Sequence, residues 1–86
     1  MTVRIKVADY TKEPVGRYRY DGHGNGEEFR QDYILPHIKS GKEIIIELDG
    51  INDEYGSSFL VEAFANLIRK EGISHNQFVK LVTFDS

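Results

Sequence analysis

The chain has 86 residues, 40% of them apolar, and a formal charge of −3. That is enough for one hydrophobic core and too little for two, so residues 1–86 are expected to form a single domain. The negative balance, without a long basic run, argues against an electrostatic grip on nucleic acid or anionic lipid, and the lack of cysteine excludes a disulfide framework and thiolate chemistry. No apolar run exceeds three residues, as at Ile44–Ile46, against the roughly 20 needed to span a bilayer. With no basic-then-apolar leader at the N-terminus, a soluble protein in a cytoplasmic setting is expected.

Val3, Ile5 and Val7 alternate with Arg4 and Lys6, the period-two pattern of a half-buried strand, which Pro14 and the residues before it then break. Arg17 to Tyr20 alternate again between Gly16 and Gly22, which predicts a second short strand, antiparallel to the first. Three glycines within residues 22–26 predict a loop, read as a mobile connector. Glu27 to Lys39 is predicted helical, with Asn25 as its cap, Gly41 as its stop and Phe29, Tyr33, Ile34 and Ile38 as the buried stripe. Pro36 lies inside that pattern, so a kink or an early end near Leu35 is expected.

Glu43 to Leu48 reads as a central strand, and Asp49-Gly50 marks its exit. Phe59, Leu60, Ala63, Phe64, Leu67 and Ile68 recur at helical spacing, with Glu62, Asn66, Arg69 and Lys70 on the opposite face and Gly72 as the stop. Phe78 to Phe84 reads as a last strand. The sum is an α/β (α+β) domain: a small mixed four-stranded sheet with two main helices packed on it.

Chemistry is sought first at Ser57 and Ser58, which stand where the second helix begins. A helix N-terminus carries unpaired amides and about half a positive charge, so it favours a capping hydroxyl or an added phosphate. A hydroxyl cap by one of the two serines is the plainer reading, and an exposed phosphoacceptor is the functional one. A catalytic serine is disfavoured, since the flanks lack a nucleophile elbow. His23, His37 and His75 have no metal-ligand spacing. Asp49, Asp53 and Glu54 lack the alternation of a calcium loop and read as a solvated rim that contacts a partner. No cofactor or metal is expected. The Arg17–Tyr20 cluster resembles a base-stacking platform in composition, but an edge strand with its arginines paired to carboxylates is the preferred reading.

Several short motifs occur in order: GRYRYDG at 16–22, GEEFR at 26–30, ILP at 34–36, LDG at 48–50 and GSSFLVEAF at 56–64. Together they resemble the STAS-like domain family of unknown function. That resemblance implies a fold similar to the anti-sigma-factor antagonist domains, which work by docking on other proteins. In such antagonists a serine within a motif like Asp-Ser-Ser/Thr-Gly-Leu is phosphorylated by a partner kinase. Laid on that motif, Ser57 takes the phosphoacceptor position and Ser58 the next, while Gly56 replaces the aspartate and Phe59 the glycine. Family members are also expected to continue past the last strand, which implies an uncovered edge or face here and favours self-association or a partner.

The expected function is therefore a non-enzymatic regulatory module that binds protein through Asp53, Glu54, Tyr55, Gly56 and Phe59. Ser57 and Ser58 are its phosphoacceptor candidates, and its partner is expected to be a kinase-like ATP-binding regulator. The rival expectation is a small phage-type inhibitor of a host or defence complex, suggested by short length and acidity.

Overall fold

The computed structural model describes residues 2–86. Strand β1 (Thr2–Lys6) leads into a single helical turn, α1 (Val7–Tyr10). A long loop then reaches helix α2, residues 26–39, followed by β2 (Glu43–Glu47) and helix α3, residues 57–69. A third helix, α4 (His75–Leu81), runs directly into β3 (Val82–Asp85). The sheet has three strands in the order β1-β2-β3, and both pairings are parallel.

This corrects the expected four-stranded mixed sheet, and two local effects explain it. The Asp21 carboxylate accepts from the amides of Arg17 (3.3 Å) and Tyr18 (2.9 Å), and Gly22 N–H donates to the Arg19 carbonyl. These bonds wind Arg19–Asp21 into a short 3-10 turn, so the amides that a second strand would offer to a ladder are spent locally. At the other end, Ser74 caps α4 by accepting from Gln77 N–H at 3.1 Å. That cap draws residues 75–81 into a helix and leaves only four residues for β3.

One face of the sheet carries the core. Ile5, Ile44, Ile46 and Val82 pack with Phe29, Ile34 and Ile38 of α2 and Phe59, Ala63 and Leu67 of α3, all buried. The opposite face leaves Arg4, Lys6, Glu43, Thr83 and Asp85 exposed, with Arg4 lying 3.4 Å from both Glu47 and Asp85. Parallel sheets are usually covered on both sides, and polar side chains let this one stand open.

Asn25 caps α2 as expected, accepting from Glu28 N–H at 2.6 Å. Pro36 does not end the helix. A π-helical stretch, Phe29–Ile34, precedes it, with Leu35 N–H reaching back to the Arg30 carbonyl, and Leu35–Lys39 then continues as α-helix. The widened turn accommodates a residue that cannot donate to the ladder. Tyr33, placed in the buried stripe by its spacing, is 40% exposed.

The glycine loop before α2 is tethered, contrary to its reading as a mobile connector. Tyr10 Oη accepts from Gly24 N–H and Asn25 N–H and donates to Glu28 Oε1 at 2.6 Å. His23 Nε2 lies 2.8 Å from the Tyr10 carbonyl oxygen. Burial first, and then the bond to the Glu28 carboxylate, push the Tyr10 phenol up to about 12. A group raised in the folded state contributes stability fully below its unfolded value near 10 and loses it as pH climbs through 12. In a titration followed at 295 nm, Tyr10 is expected to give a final step at about pH 12, together with alkaline unfolding. Tyr10→Phe should remove that final step and cost about 1–3 kcal/mol at neutral pH, because two buried amides lose their acceptor.

Candidate functional site

The corner singled out by the serines is built from two loops that follow parallel strands. The loop after β2 folds back on itself, with Tyr55 Oη donating to the Leu48 carbonyl at 2.5 Å. It is strapped to the loop after α1 by two backbone bonds, Asn52 N–H to Lys12 O at 2.8 Å and Gly56 N–H to Pro14 O at 2.9 Å. Between the straps lies an open groove of about 360 Å³, walled by Lys12, Glu13 and Val15 on one side and Asp53 to Gly56 on the other. Three of its side chains are carboxylates and one is a cation.

Helix α3 begins at the end of this groove. Gly56 is its cap residue, in extended conformation (φ −75°, ψ 139°), and Leu60 N–H makes the first helical bond to the Gly56 carbonyl at 3.1 Å. A Cβ at position 56 would lie 3.0 Å from Val15 Cα and 3.2 Å from its carbonyl oxygen. The tight crossing of the two loops therefore disfavours a side chain here, including the aspartate that the antagonist motif carries.

Neither serine caps the helix, which corrects the plainer reading of the pair. Both lie inside the first turn, so their hydroxyls cannot fold back onto the amides that an N-cap side chain serves. Ser57 is exposed and Ser58 half-buried. Among the described residues no histidine hydrogen-bonds to either hydroxyl, and no group of three or more metal-ligating side chains is assembled.

The other residues of the corner divide. Asp53 and Glu54 are exposed, while Tyr55 and Gly56 are half-buried. Burial first, and then the nearby Asp49 charge, push the Tyr55 phenol up. Phe59 is fully buried, 5.8 Å from the Phe29 ring and 6.3 Å from the Tyr55 ring. It therefore supports the corner from within and presents no surface to a partner.

The basic-aromatic cluster is compact but not a strand. Tyr18 and Tyr20 stack at 5.3 Å, and Arg17 and Lys70 lie 5.8 and 5.9 Å from the centre of the Tyr18 ring. Arg19 is held by Asp32 at 2.9 Å and by Glu28 at 3.4 Å.

The sequence reading missed an ion-pair cluster between α2 and α3. Arg30 and Glu62 are each 2% exposed, with Nη1 to Oε2 at 2.8 Å, and Arg30 Nε donates to Glu71 Oε2 at 2.9 Å. Arg30 also donates to the Glu62 backbone carbonyl. In a regular α-helix that carbonyl would take Asn66 N–H, which goes to Val61 instead, across the π-helical stretch Val61–Ala65. The cluster thus ties α2 to α3.

A family model describing a STAS-like domain of unknown function matches residues 25–85. The chain belongs to that family. No curated protein and no solved structure matches it. The matched span of the STAS-like domain opens at the Asn25 cap and takes in α2, β2, α3, α4 and β3. The GRYRYDG segment and the groove wall at Lys12–Val15 lie before it, so one wall of the groove belongs to the family pattern and the other does not. No helix among the described residues is long and apolar enough to cross a membrane.

Proposed function

We propose that this STAS-like domain is a non-enzymatic, protein-binding regulatory module, resembling an anti-sigma-factor antagonist in its mode of action. Its docking surface is the loop of Asp53 to Gly56 with the first turn of α3, and Ser57 is the residue whose phosphorylation switches it. The observation that carries this reading is the exposed Ser57 hydroxyl, unused as a cap, beside an open groove. The amides of Ser57, Ser58 and Phe59 precede the first helical bond of α3, and such amides favour an added negative charge. A phosphate here adds about −1.5 to −2 charges next to a groove already lined by Glu13, Asp53 and Glu54. The partner that fits is a regulatory protein, of which a kinase-like ATP-binding protein is the simplest, since it both docks and modifies.

The test is to incubate the purified domain with kinases from its own cell and map modification by mass spectrometry. Phosphate on Ser57 is the expected result, with little on half-buried Ser58. Absence of phosphate from both serines under every condition defeats the switch.

A further inference from the structure

Two edges bound this sheet, and they differ in chemistry. On β1 the exposed side chains Arg4 and Lys6 are charged, which discourages a neighbouring strand. The outer strand β3 reads Val-Thr-Phe-Asp and has no lysine or proline. Asp85 O accepts from Leu48 N–H on the β2 side. Because main-chain groups alternate along a strand, those of Thr83 and Asp85 face β2 while those of Val82 and Phe84 face outward. The outward amide of Val82 already donates to Phe78 O. Phe84 N–H and C=O have no hydrogen-bond partner among the described residues. Around them sits exposed apolar surface: Phe84 is 44% exposed and Val79, on the adjoining α4, 62%. The Phe84 ring packs on Phe64 at 5.0 Å and on Phe78 at 6.5 Å, which holds the edge in shape.

We propose that the outer edge of β3 pairs antiparallel with β3 of a second copy of this chain, centred on Phe84, to give a continuous six-stranded sheet. Outward main-chain groups specify a strand as the occupant, and a two-fold axis through Phe84 satisfies them reciprocally, with each Phe84 N–H donating to the carbonyl of the other. Directly opposed residues share a face, so the axis stacks the two exposed rings on the helix side. It sets each Asp85 opposite Thr83 of the second copy, which avoids a like-charge contact. Joining β3 to β1 instead would repeat without closing and would run against the charged edge.

The experiment is analytical ultracentrifugation of the unmodified chain from about 10 µM to about 1 mM, the range where a small edge interface is populated. Amide exchange at Phe84 is measured at both ends of the range. A mass rising from one chain towards two, with Phe84 exchange slowed at least several-fold at high concentration, is the expected result. Phe84→Lys, which adds a charge at the edge, and Phe84→Pro, which removes the outward N–H together with the ring, should each return the chain to one copy with its helical circular dichroism retained. A mass of one chain throughout, or a Phe84 amide that exchanges equally fast at both concentrations, overturns the proposal. So does association that survives both substitutions.

Discussion

Arg30→Ala is expected to lower stability by about 3–5 kcal/mol, because it strands the buried Glu62 carboxylate without its cation. A chain of this size has a total stability on the order of 4–13 kcal/mol, so the variant should stand close to the edge of folding. The loss is this large because Arg30 serves three acceptors at once: Glu62 Oε2, the Glu62 carbonyl and Glu71 Oε2. Lys70 Nζ is 3.8 Å from Glu62 and half-exposed, so it compensates only weakly. Burial alone would push the Glu62 carboxyl up. The hydrogen bonds from Arg30 and Asn66 and the charges of Lys70 and Arg30 outweigh it and hold the carboxyl below its ordinary value.

The pH dependence follows from that sign. A depressed carboxyl contributes stability present above its unfolded pKa near 4.5 and loses it as pH falls through the lower folded value. The deficit of Arg30→Ala should therefore be full at pH 7 and shrink below pH 4, where Glu62 is protonated in the variant. Urea midpoints at the two pH values measure it. Replacing both partners, Arg30→Met with Glu62→Leu, should recover most of the loss, since an apolar pair of similar volume is often as stable as a buried ion pair. A deficit under 1 kcal/mol for the single variant at pH 7 would mean that the cluster is not what joins α2 to α3.

Gly26→Ala is the second large effect, and its sign is the test. At an ordinary helical position this change stabilises by about 0.4–1 kcal/mol through the unfolded chain. Here a Cβ would stand 2.6 Å from the Phe59 carbonyl oxygen and 2.9 Å from both Ala63 N and Glu62 Cβ. Two of those three atoms are backbone of α3, so no side chain can turn away, and the helices must separate. Overpacking of this kind costs typically 1–3 kcal/mol. The separation would also pull on the Arg30–Glu62 pair, since Arg30 lies one turn along α2 and Glu62 is at the contact itself. Chemical denaturation should show a lower midpoint for Gly26→Ala with the slope unchanged, whereas a higher midpoint would place the helices further apart than described.

Much of this architecture was legible in the residues. The β-branched run Ile44–Ile46 marked the central strand, and Phe59, Ala63, Phe64 and Leu67 marked the buried side of α3. What misled was reading polarity in place of angle. Glu62 and Asn66 stand three and seven residues from Phe59, on the buried stripe, yet their polarity suggested the solvent face. Their burial is sustained by Arg30, 32 positions before Glu62, and a pairing over that distance leaves no local signature. Arg17 to Tyr20 alternated like a strand, but the next residue, Asp21, could take their amides and did. The start of α4 did have a signature, Ser74 with Gln77 three residues on, and the alternation around Lys80 concealed it.

The candidate site was legible in part for similar reasons. A helix start at Ser57 follows from the strand, loop and apolar stripe around it. That the cap position falls on Gly56, beside the Val15 backbone, depends on a contact between distant loops. The groove was hidden because its second wall comes from the loop after α1.

The central claim is that a partner grips the exposed first turn of α3 at Ser57. The most direct measurement compares the affinity of a partner purified from native extract for Ser57→Glu and for Ser40→Glu, the same change made at the exposed C-terminal end of α2. Both variants should stay folded, and Ser57→Glu should be up to about 1 kcal/mol more stable because its charge meets a helix N-terminus. The expected result is binding weakened at least about tenfold by Ser57→Glu, or about 1.4 kcal/mol, and left within about twofold by Ser40→Glu. Equal affinity of the two variants and the unmodified domain would contradict the account.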